Sequence, residues 1–291
     1  MSRLPENFTV SVIIPAHNEE SQIQNIVQRV RQVDASFEII VVDDGSEDQT
    51  ASLAQAGGAD EVIVHPYNIG NGAAVKTGIR SATGHVVVML DADGQHPPEK
   101  IPELLEKMAQ YTMAVGSRTK TSNVSRFRGV GNFILRRIGM YLVEGYIADL
   151  TSGFRAIHRD VLLEYVHLFP NTYSYPTTIT LSLLKDGYPV AWVPMPEIQR
   201  RQSGQSGIRP LHDGIRFIAL MIRIIMLFSP QKVFLPIGFF FLVIGIYLSI
   251  FTIQRNQLED SAVLVVMIGV FVLLFGLIAE QLSTIRRELR R

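Results

Sequence analysis

The stretch His85-Val-Val-Val-Met-Leu-Asp-Ala-Asp-Gly-Gln-His-Pro-Pro-Glu99 decides how the chain is read. Its apolar run is the pattern of a strand covered on both faces, as in a parallel sheet flanked by helices. The run ends by placing Asp91, Asp93 and Gln95 at alternate positions, and Pro97 and Pro98 then restart the chain as a helix. In sheets of this kind ligands bind beyond the carboxyl ends of the strands. Three oxygen-bearing side chains at such an end therefore mark a candidate site.

Working outward, runs of the same character cover Val10–Ile14, Glu38–Val42, Glu61–His65 and Met113–Gly116, and the central run covers His85–Leu90. Helical patterns over Glu19–Val33, Asp48–Ala56, Gly72–Ala82 and Pro98–Gln110 separate them. The alternation predicts an α/β fold with a mostly parallel, Rossmann-like sheet. Two further polar clusters close strands, Pro15-Ala-His-Asn-Glu19 and Asp43-Asp-Gly-Ser46.

Three readings of the acidic stretch compete. An EF-hand loop counted from Asp91 would need glycine where His96 stands and glutamate where Pro102 stands, so it fails. A plain acidic turn needs no ligand. A divalent ion held by Asp91, Asp93 and Gln95 with a substrate diphosphate fits better, because the pair follows a buried strand and faces two other polar strand ends. Mg²⁺ or Mn²⁺ takes one or two carboxylates plus phosphate oxygens in such sites. His96 is expected to be structural.

Asn68-Ile-Gly-Asn-Gly-Ala-Ala-Val-Lys76 departs from a dinucleotide fingerprint, since Val75 stands where a small residue belongs and the stretch follows the third strand. Its glycines are expected to open a helix, with Lys76 or Arg80 near phosphate. Asp43 and Asp44 suit helix capping and base recognition alike, and the two roles are compatible.

Lys and Arg together number 27, as do Asp and Glu, so no global positive field argues for nucleic acid as a partner. The chain has no cysteine, which excludes disulfides and thiolate metal sites. The N-terminal residues lack an apolar segment, so no secretory signal is expected. Val233 to Ile253 and Ser261 to Ala279 carry no charge and approach the roughly 20 residues that cross a bilayer. Arg209, Arg216, Arg223 and Lys232 precede the first run, and Arg286, Arg287, Arg290 and Arg291 follow the second. The loop between them has one arginine against two acids, so both ends and the soluble domain are expected in the cytoplasm. Arginines spaced by seven make 209–230 an amphipathic juxtamembrane helix lying at the headgroups rather than a third span, which would bury Arg223 in hydrocarbon. The organisation expected is a cytoplasmic domain over 1–208, that helix over 209–230, and a two-span region with a basic tail over 231–291.

Ile13-Ile-Pro-Ala-His-Asn-Glu19, Val41-Val-Asp-Asp-Gly-Ser46, Asp91 to Glu99, Val115-Gly-Ser-Arg118 and Thr151-Ser-Gly-Phe154 together resemble family 2 glycosyltransferases of the GT-A fold. Within them, the set is most similar to the dolichol-phosphate mannosyltransferase and polyprenyl-phosphate glycosyltransferase group, over residues 8–208 and in the same order. The resemblance implies that Pro15, Ala16, Glu19 and one of Asp43 or Asp44 hold the base and ribose of a nucleotide sugar. It implies that Asp91, Ala92, Asp93 and Gln95 serve the diphosphate, with Asp91, Asp93 and Gln95 on the metal. Arg118 would face the donor diphosphate or acceptor phosphate, and Arg128 and Arg201 would stand near the reacting phosphates. The partners implied are a nucleoside diphosphate sugar (GDP-mannose, UDP-glucose or UDP-GlcNAc), a polyprenyl phosphate such as dolichyl or undecaprenyl phosphate, and the membrane. A homo-oligomer is left open.

The chain departs from the family at Arg201-Gln-Ser-Gly-Gln-Ser-Gly207, where Gly207 replaces the usual lysine, which bears on the acceptor. Another lipid acceptor, or a non-catalytic nucleotide-binding membrane protein, is the competing reading. A processive polysaccharide synthase is disfavoured because the sole tryptophan, Trp192, lies outside any Gln-x-x-Arg-Trp sequence.

Overall fold

The computed structural model describes residues 7–118, 136–171, 175–195, 226, 229–253 and 260–288. The chain divides into two compact units, Met1–Gly207 and Ile208–Arg291.

The first unit is built on one seven-stranded sheet of order β3-β2-β1-β4-β6-β5-β7. The strands are β1 Val10–Ala16, β2 Glu38–Asp43, β3 Glu61–Val64, β4 Val86–Met89, β5 Met113–Arg118, β6 Arg155–His158 and β7 Val190–Met195. Strand β6 alone is antiparallel to its neighbours β4 and β5. Strands β1, β2 and β4 behave as their apolar runs predict, with every residue of β1 and β4 buried, whereas β3 at the sheet edge is part exposed. Their sequence order reverses between β1 and β4, and such a reversal opens a crevice at the strands' carboxyl ends.

Helices α1 Ile23–Val33, α2 Thr50–Ala56, α3 Asn71–Ser81, α4 Ile101–Leu105, α5 over 136–143, α6 Arg159–Tyr165 and α7 Tyr175–Lys185 cover the sheet. Helix α1 buries Ile23, Ile26, Val27 and Val30, the spacing of one helical face. These pack with Val12, Ile14, Val41 and Leu90 in the core. On the other face Gly78 of α3 lets the helix lie directly on β1, since a Cβ there would overlap Ile13.

Two helices begin later than their patterns suggest, for one physical reason. Asp48 accepts from the Thr50 amide at 3.0 Å and from its hydroxyl, and the Glu19 carbonyl accepts from Gln22 and Ile23 in a turn. The expected helix over Pro98–Gln110 is broken into 3₁₀, α and 3₁₀ pieces around Pro102.

The second unit contains helices Gln231–Ile253 and Asp260–Glu288, both long and apolar enough to cross a membrane. They meet through glycines. A Cβ on Gly238 would lie 2.7 Å from Leu273, one on Gly245 2.6 Å from Val266, and one on Gly269 2.9 Å from Leu242. The juxtamembrane helix expected over 209–230 falls almost wholly outside the described residues.

Candidate active site

The ends of β1, β2, β3, β4, β5 and β7 and the start of β6 share one edge of the sheet. Met89 and Val115 both register with Arg155, so the Asp91 turn, the end of β5 and the turn before β6 face one another. Val42 and Asp43 register with Pro15 and Ala16, bringing the first two polar clusters together.

Those two clusters are stitched into one surface. Asn18, with φ of 55°, turns its backbone so that its amide donates to Ser46 Oγ at 2.9 Å, and its side-chain oxygen accepts from the Glu47 amide. The Glu19 amide donates to Thr50 Oγ1 at 2.9 Å. Asp43 is 2% exposed, and its Oδ1 accepts from both the amide and the hydroxyl of Ser46. Asp44 is equally enclosed and faces the other way. Its Oδ1 meets His65 Nδ1 at 2.7 Å and accepts from the Ile69 amide at 3.1 Å, while Oδ2 accepts from the Gly70 amide at 2.7 Å. His65 Nε2 then contacts Thr77 Oγ1 at 3.0 Å. Asp44 thus anchors the loop that opens α3, a task the sequence did not reveal because His65 and Thr77 are 12 residues apart.

Gly45 is required here. It has φ of 69°, and a Cβ would press on the Tyr67 and Asn68 backbones, at 2.6 Å from Tyr67 Cα. Lys76, by contrast, reaches the Phe169 carbonyl and the Asn171 side chain, and Arg80 is exposed.

After β4 the chain forms a tight turn at Gly94, with Asp93 Oδ1 accepting from the Gln95 amide at 2.9 Å. His96 stacks on Phe154, ring centroids 5.5 Å apart, with its Nδ1 3.6 Å from Asp91 Oδ2, in keeping with a structural role. Gly153 lies against the Asp91 carboxylate: a Cβ would overlap Oδ2 and sit 2.9 Å from Cγ. Among the described residues no three His, Asp or Glu side chains converge into a closed metal cage. Two carboxylates and an amide on one turn, with glycine at 153 in the turn before β6, fit an ion that keeps room for phosphate oxygens.

Beneath this turn lies a fully buried guanidinium that sequence reasoning missed. Arg155, 0% exposed, donates to the Pro176 carbonyl at 3.0 Å, to Thr180 Oγ1 at 3.1 Å, and to the Ser152 carbonyl. Burial lowers its pKa, and the charges of Tyr175, Asp149 and Asp91 oppose that shift. The Tyr175 hydroxyl, buried and without a hydrogen-bond partner among the described residues, is pushed far up by burial and by Asp91. Among the proposed arginines, Arg118 ends β5, its backbone paired with Met195 on this same edge. Arg128 and Arg201, with the Gly207 loop, lie outside the described residues.

The glycosyl transferase family 2 model matches residues 11–166, just over half of the chain, and takes in the ends of β1 to β5 and the start of β6. The chain belongs to glycosyltransferase family 2. A second model, the GtrB C-terminal hairpin, matches residues 229–285 of this transferase. An undecaprenyl-phosphate 4-deoxy-4-formamido-L-arabinose transferase of Sodalis glossinidius is 26% identical over 97% of this chain and 90% of its own. One of that name from Pectobacterium carotovorum is 34% identical, but the match spans only 54% of this chain and 51% of the relative, about half its length. An uncharacterized protein of Methanocaldococcus jannaschii is 31% identical over 77% of this chain and 93% of its own.

Among solved structures, glucosyl-3-phosphoglycerate synthase from Mycobacterium tuberculosis, crystallised with Mn²⁺, UDP and glucosyl-3-phosphoglycerate, superposes with a TM-score of 0.58 at 23% identity. It covers 75% of this chain and 79% of the synthase. Mannosyl-3-phosphoglycerate synthase from Rubrobacter xylanophilus gives a TM-score of 0.55 at 18% identity over 74% of each chain. At these identities the likeness shows the fold, which is GT-A.

Proposed function

We propose that this transferase moves a sugar from a nucleoside diphosphate sugar to the phosphate of a membrane polyprenol, at the cytoplasmic face. The observation that carries the reading is the joining of a family 2 domain to two apolar helices matching the GtrB hairpin. The relatives' names, which specify transfer to undecaprenyl phosphate, support it.

The residues suit that chemistry. Asp91, Asp93 and Gln95 would hold Mg²⁺ or Mn²⁺, which when bound neutralises charge on the departing diphosphate. An oxygen of the acceptor phosphate attacks the anomeric carbon as the carbon–oxygen bond to the diphosphate breaks. Attack opposite the leaving group inverts that centre. A phosphate monoester has a second pKa of about 6 and is already ionised near neutrality, so the site needs no strong general base. It needs cations that orient two anions, the role proposed for Arg118, Arg128 and Arg201. Pro15, Ala16, Glu19 and the Asp43–Asp44 pair would line the nucleoside end.

A polyprenyl tail resists leaving the bilayer, since each buried CH₂ contributes about 0.8 kcal/mol. The enzyme must therefore work at the surface, and the basic flanks support a hairpin with both ends on the cytoplasmic side. The test incubates the detergent-solubilised full chain with Mn²⁺ or Mg²⁺, polyprenyl phosphate and each of three radiolabelled donors, UDP-glucose, UDP-GlcNAc and GDP-mannose. Label entering the organic phase from one donor, and lost in Asp93→Ala and on chelation, is the expected result. Metal-dependent nucleotide binding with no lipid-linked product from any donor would overturn the acceptor assignment.

A further inference from the structure

We propose that Tyr175 is a positioning residue of this site, and that its buried hydroxyl is the donor that holds the Asp91 carboxylate once an ion is bound. The inference rests on the reading of the Asp91 turn as a metal site and deepens it. It follows from asking which donors near Asp91 are already used.

Three described side chains act on the Asp91 carboxylate from the protein side: His96, Arg155 and Tyr175. His96 is no donor to it. Its Nδ1 accepts from the Asp91 amide at 3.4 Å, so that nitrogen carries no proton, and it stands 3.6 Å from Oδ2. Arg155 is engaged elsewhere. One terminal nitrogen donates to the Pro176 carbonyl and to Thr180 Oγ1, and the other to the Ser152 carbonyl. Those bonds fix the plane of the guanidinium, so its Nε–H, unpartnered among the described residues, cannot turn to follow a carboxylate. Arg155 gives Asp91 a charge but no adjustable bond.

Tyr175 differs on each count. It is 2% exposed, its ring packs on Phe169 with centroids 5.9 Å apart, and its hydroxyl bonds to no described residue. Buried hydroxyls are nearly always paired, because an unpaired one costs stability that phenylalanine in the same space would not. Burial first, and Asp91 second, push its pKa up, so the hydroxyl keeps its proton and stays a donor. That proton swings about the C–O bond and adapts to where the acceptor stands.

The fold ties this hydroxyl to the metal turn. Tyr175 opens α7, and the next residue, Pro176, is joined through Arg155 to Ser152. Gly153 follows Ser152 and lies against the Asp91 carboxylate. With one carboxylate oxygen given to an ion, the other is left for a donor on the protein side. Carboxylates that bind metals are held by such outer donors, which orient the oxygen offered to the ion. Tyr175 is that donor, unpaired in the ion-free site and paired in the loaded one.

The experiment compares wild type, Tyr175→Phe and Tyr165→Phe as full chains in detergent. It reads Mn²⁺ affinity by electron paramagnetic resonance, and thermal unfolding in the presence of chelator. Tyr165 is the control, since its hydroxyl donates to Asp186 Oδ2 at 2.6 Å, at the other end of α7. Tyr175→Phe should weaken Mn²⁺ binding by about 10- to 100-fold, the range for partners of metal ligands, with a midpoint no lower than wild type. Tyr165→Phe should do the reverse, lowering the midpoint and leaving Mn²⁺ affinity unchanged. Wild-type Mn²⁺ affinity in Tyr175→Phe overturns the inference and leaves the metal site and the transferase reading standing. A lowered midpoint in Tyr175→Phe also overturns it, since the hydroxyl would then have a partner in the ion-free protein. Equal loss of affinity in both variants overturns it too, because the effect would not belong to Tyr175. Failure of wild type to bind Mn²⁺ would instead overturn the metal reading of the Asp91 turn, and this inference with it.

Discussion

Gly153 packs against the Asp91 carboxylate so closely that any side chain at 153 would overlap Oδ2. The turn before β6 and the turn after β4 are thus fitted to each other, and the glycine sets where Asp91 stands. Gly153→Ala should push the carboxylate out of place without removing it. The expected outcome is a fall of about 10- to 100-fold in transfer activity or Mn²⁺ affinity, the range for residues that orient metal ligands. Mn²⁺ titration followed by electron paramagnetic resonance, beside the transfer assay, reads both. Wild-type values in both would show that the turn accommodates a methyl group and that Gly153 does not position Asp91.

Arg155 ties β6, the Ser152 turn and the start of α7 with one planar group. A lysine keeps the charge buried but cannot reach Ser152, Pro176 and Thr180 with the same geometry. Arg155→Lys should therefore lower stability by about 3 kcal/mol, the scale of lost hydrogen bonds to a buried charged group. Thermal unfolding of the detergent-solubilised chain measures it. An unchanged midpoint would mean that those three acceptors find other partners.

Why the sequence hid this half of the sheet is visible in Arg155-Ala-Ile-His158 and in Thr177-Thr-Ile-Thr180. The first is a fully buried strand with charged or titratable residues at both ends, which take distant partners such as the Met108 carbonyl, 3.0 Å from His158 Nε2, and the Pro176 carbonyl, 3.0 Å from Arg155. The second lies in a helix buried nearly all round, so it carries no amphipathic stripe. Strands β1 to β5 were legible because their apolar runs need no partner to be recognised, and the clusters that follow them are local. Asp91, Asp93 and Gln95 were therefore readable as a group. The contacts of Asp91 with Gly153, and of Asp44 with His65, were not, since each joins segments that only the folded sheet brings together.

Glu38 gives the first unit an acid-sensitive clamp. Burial pushes its pKa up, but bonds from the Ser11 hydroxyl and from the Thr83 amide and hydroxyl, at 2.9 and 2.8 Å for Thr83, outweigh it and hold the value below the usual 4.5. A carboxylate whose folded pKa is depressed contributes stability that is fully present above its unfolded value and lost as pH falls through the folded one. Wild type should lose this contribution progressively below about pH 4.5, whereas Glu38→Gln should lack it at neutral pH and show a flatter profile on acidification. Unfolding midpoints between pH 7 and pH 3.5 compare the two. Parallel curves would show that Glu38 is not the group responsible.

The two apolar helices approach through Gly238, Gly245 and Gly269, where each missing Cβ is replaced by part of the opposite helix. Without a hydrophobic driving force between helices in lipid, such close packing is the main attraction available. At Gly245 an added Cβ would lie 2.6 Å from Val266 Cγ2 and 2.8 Å from the Val266 amide nitrogen, which is backbone and cannot rotate away. Gly245→Ala should therefore separate the helices locally and cost about 1–3 kcal/mol, the scale of overpacking. Ile246, the next residue, is 52% exposed and points away from the seam, so Ile246→Ala should be near neutral in detergent. Thermal unfolding of the hairpin in the same detergent separates the two variants. Equal midpoints would show that the glycines do not form the seam, and that the hairpin is held by its loop and flanks instead.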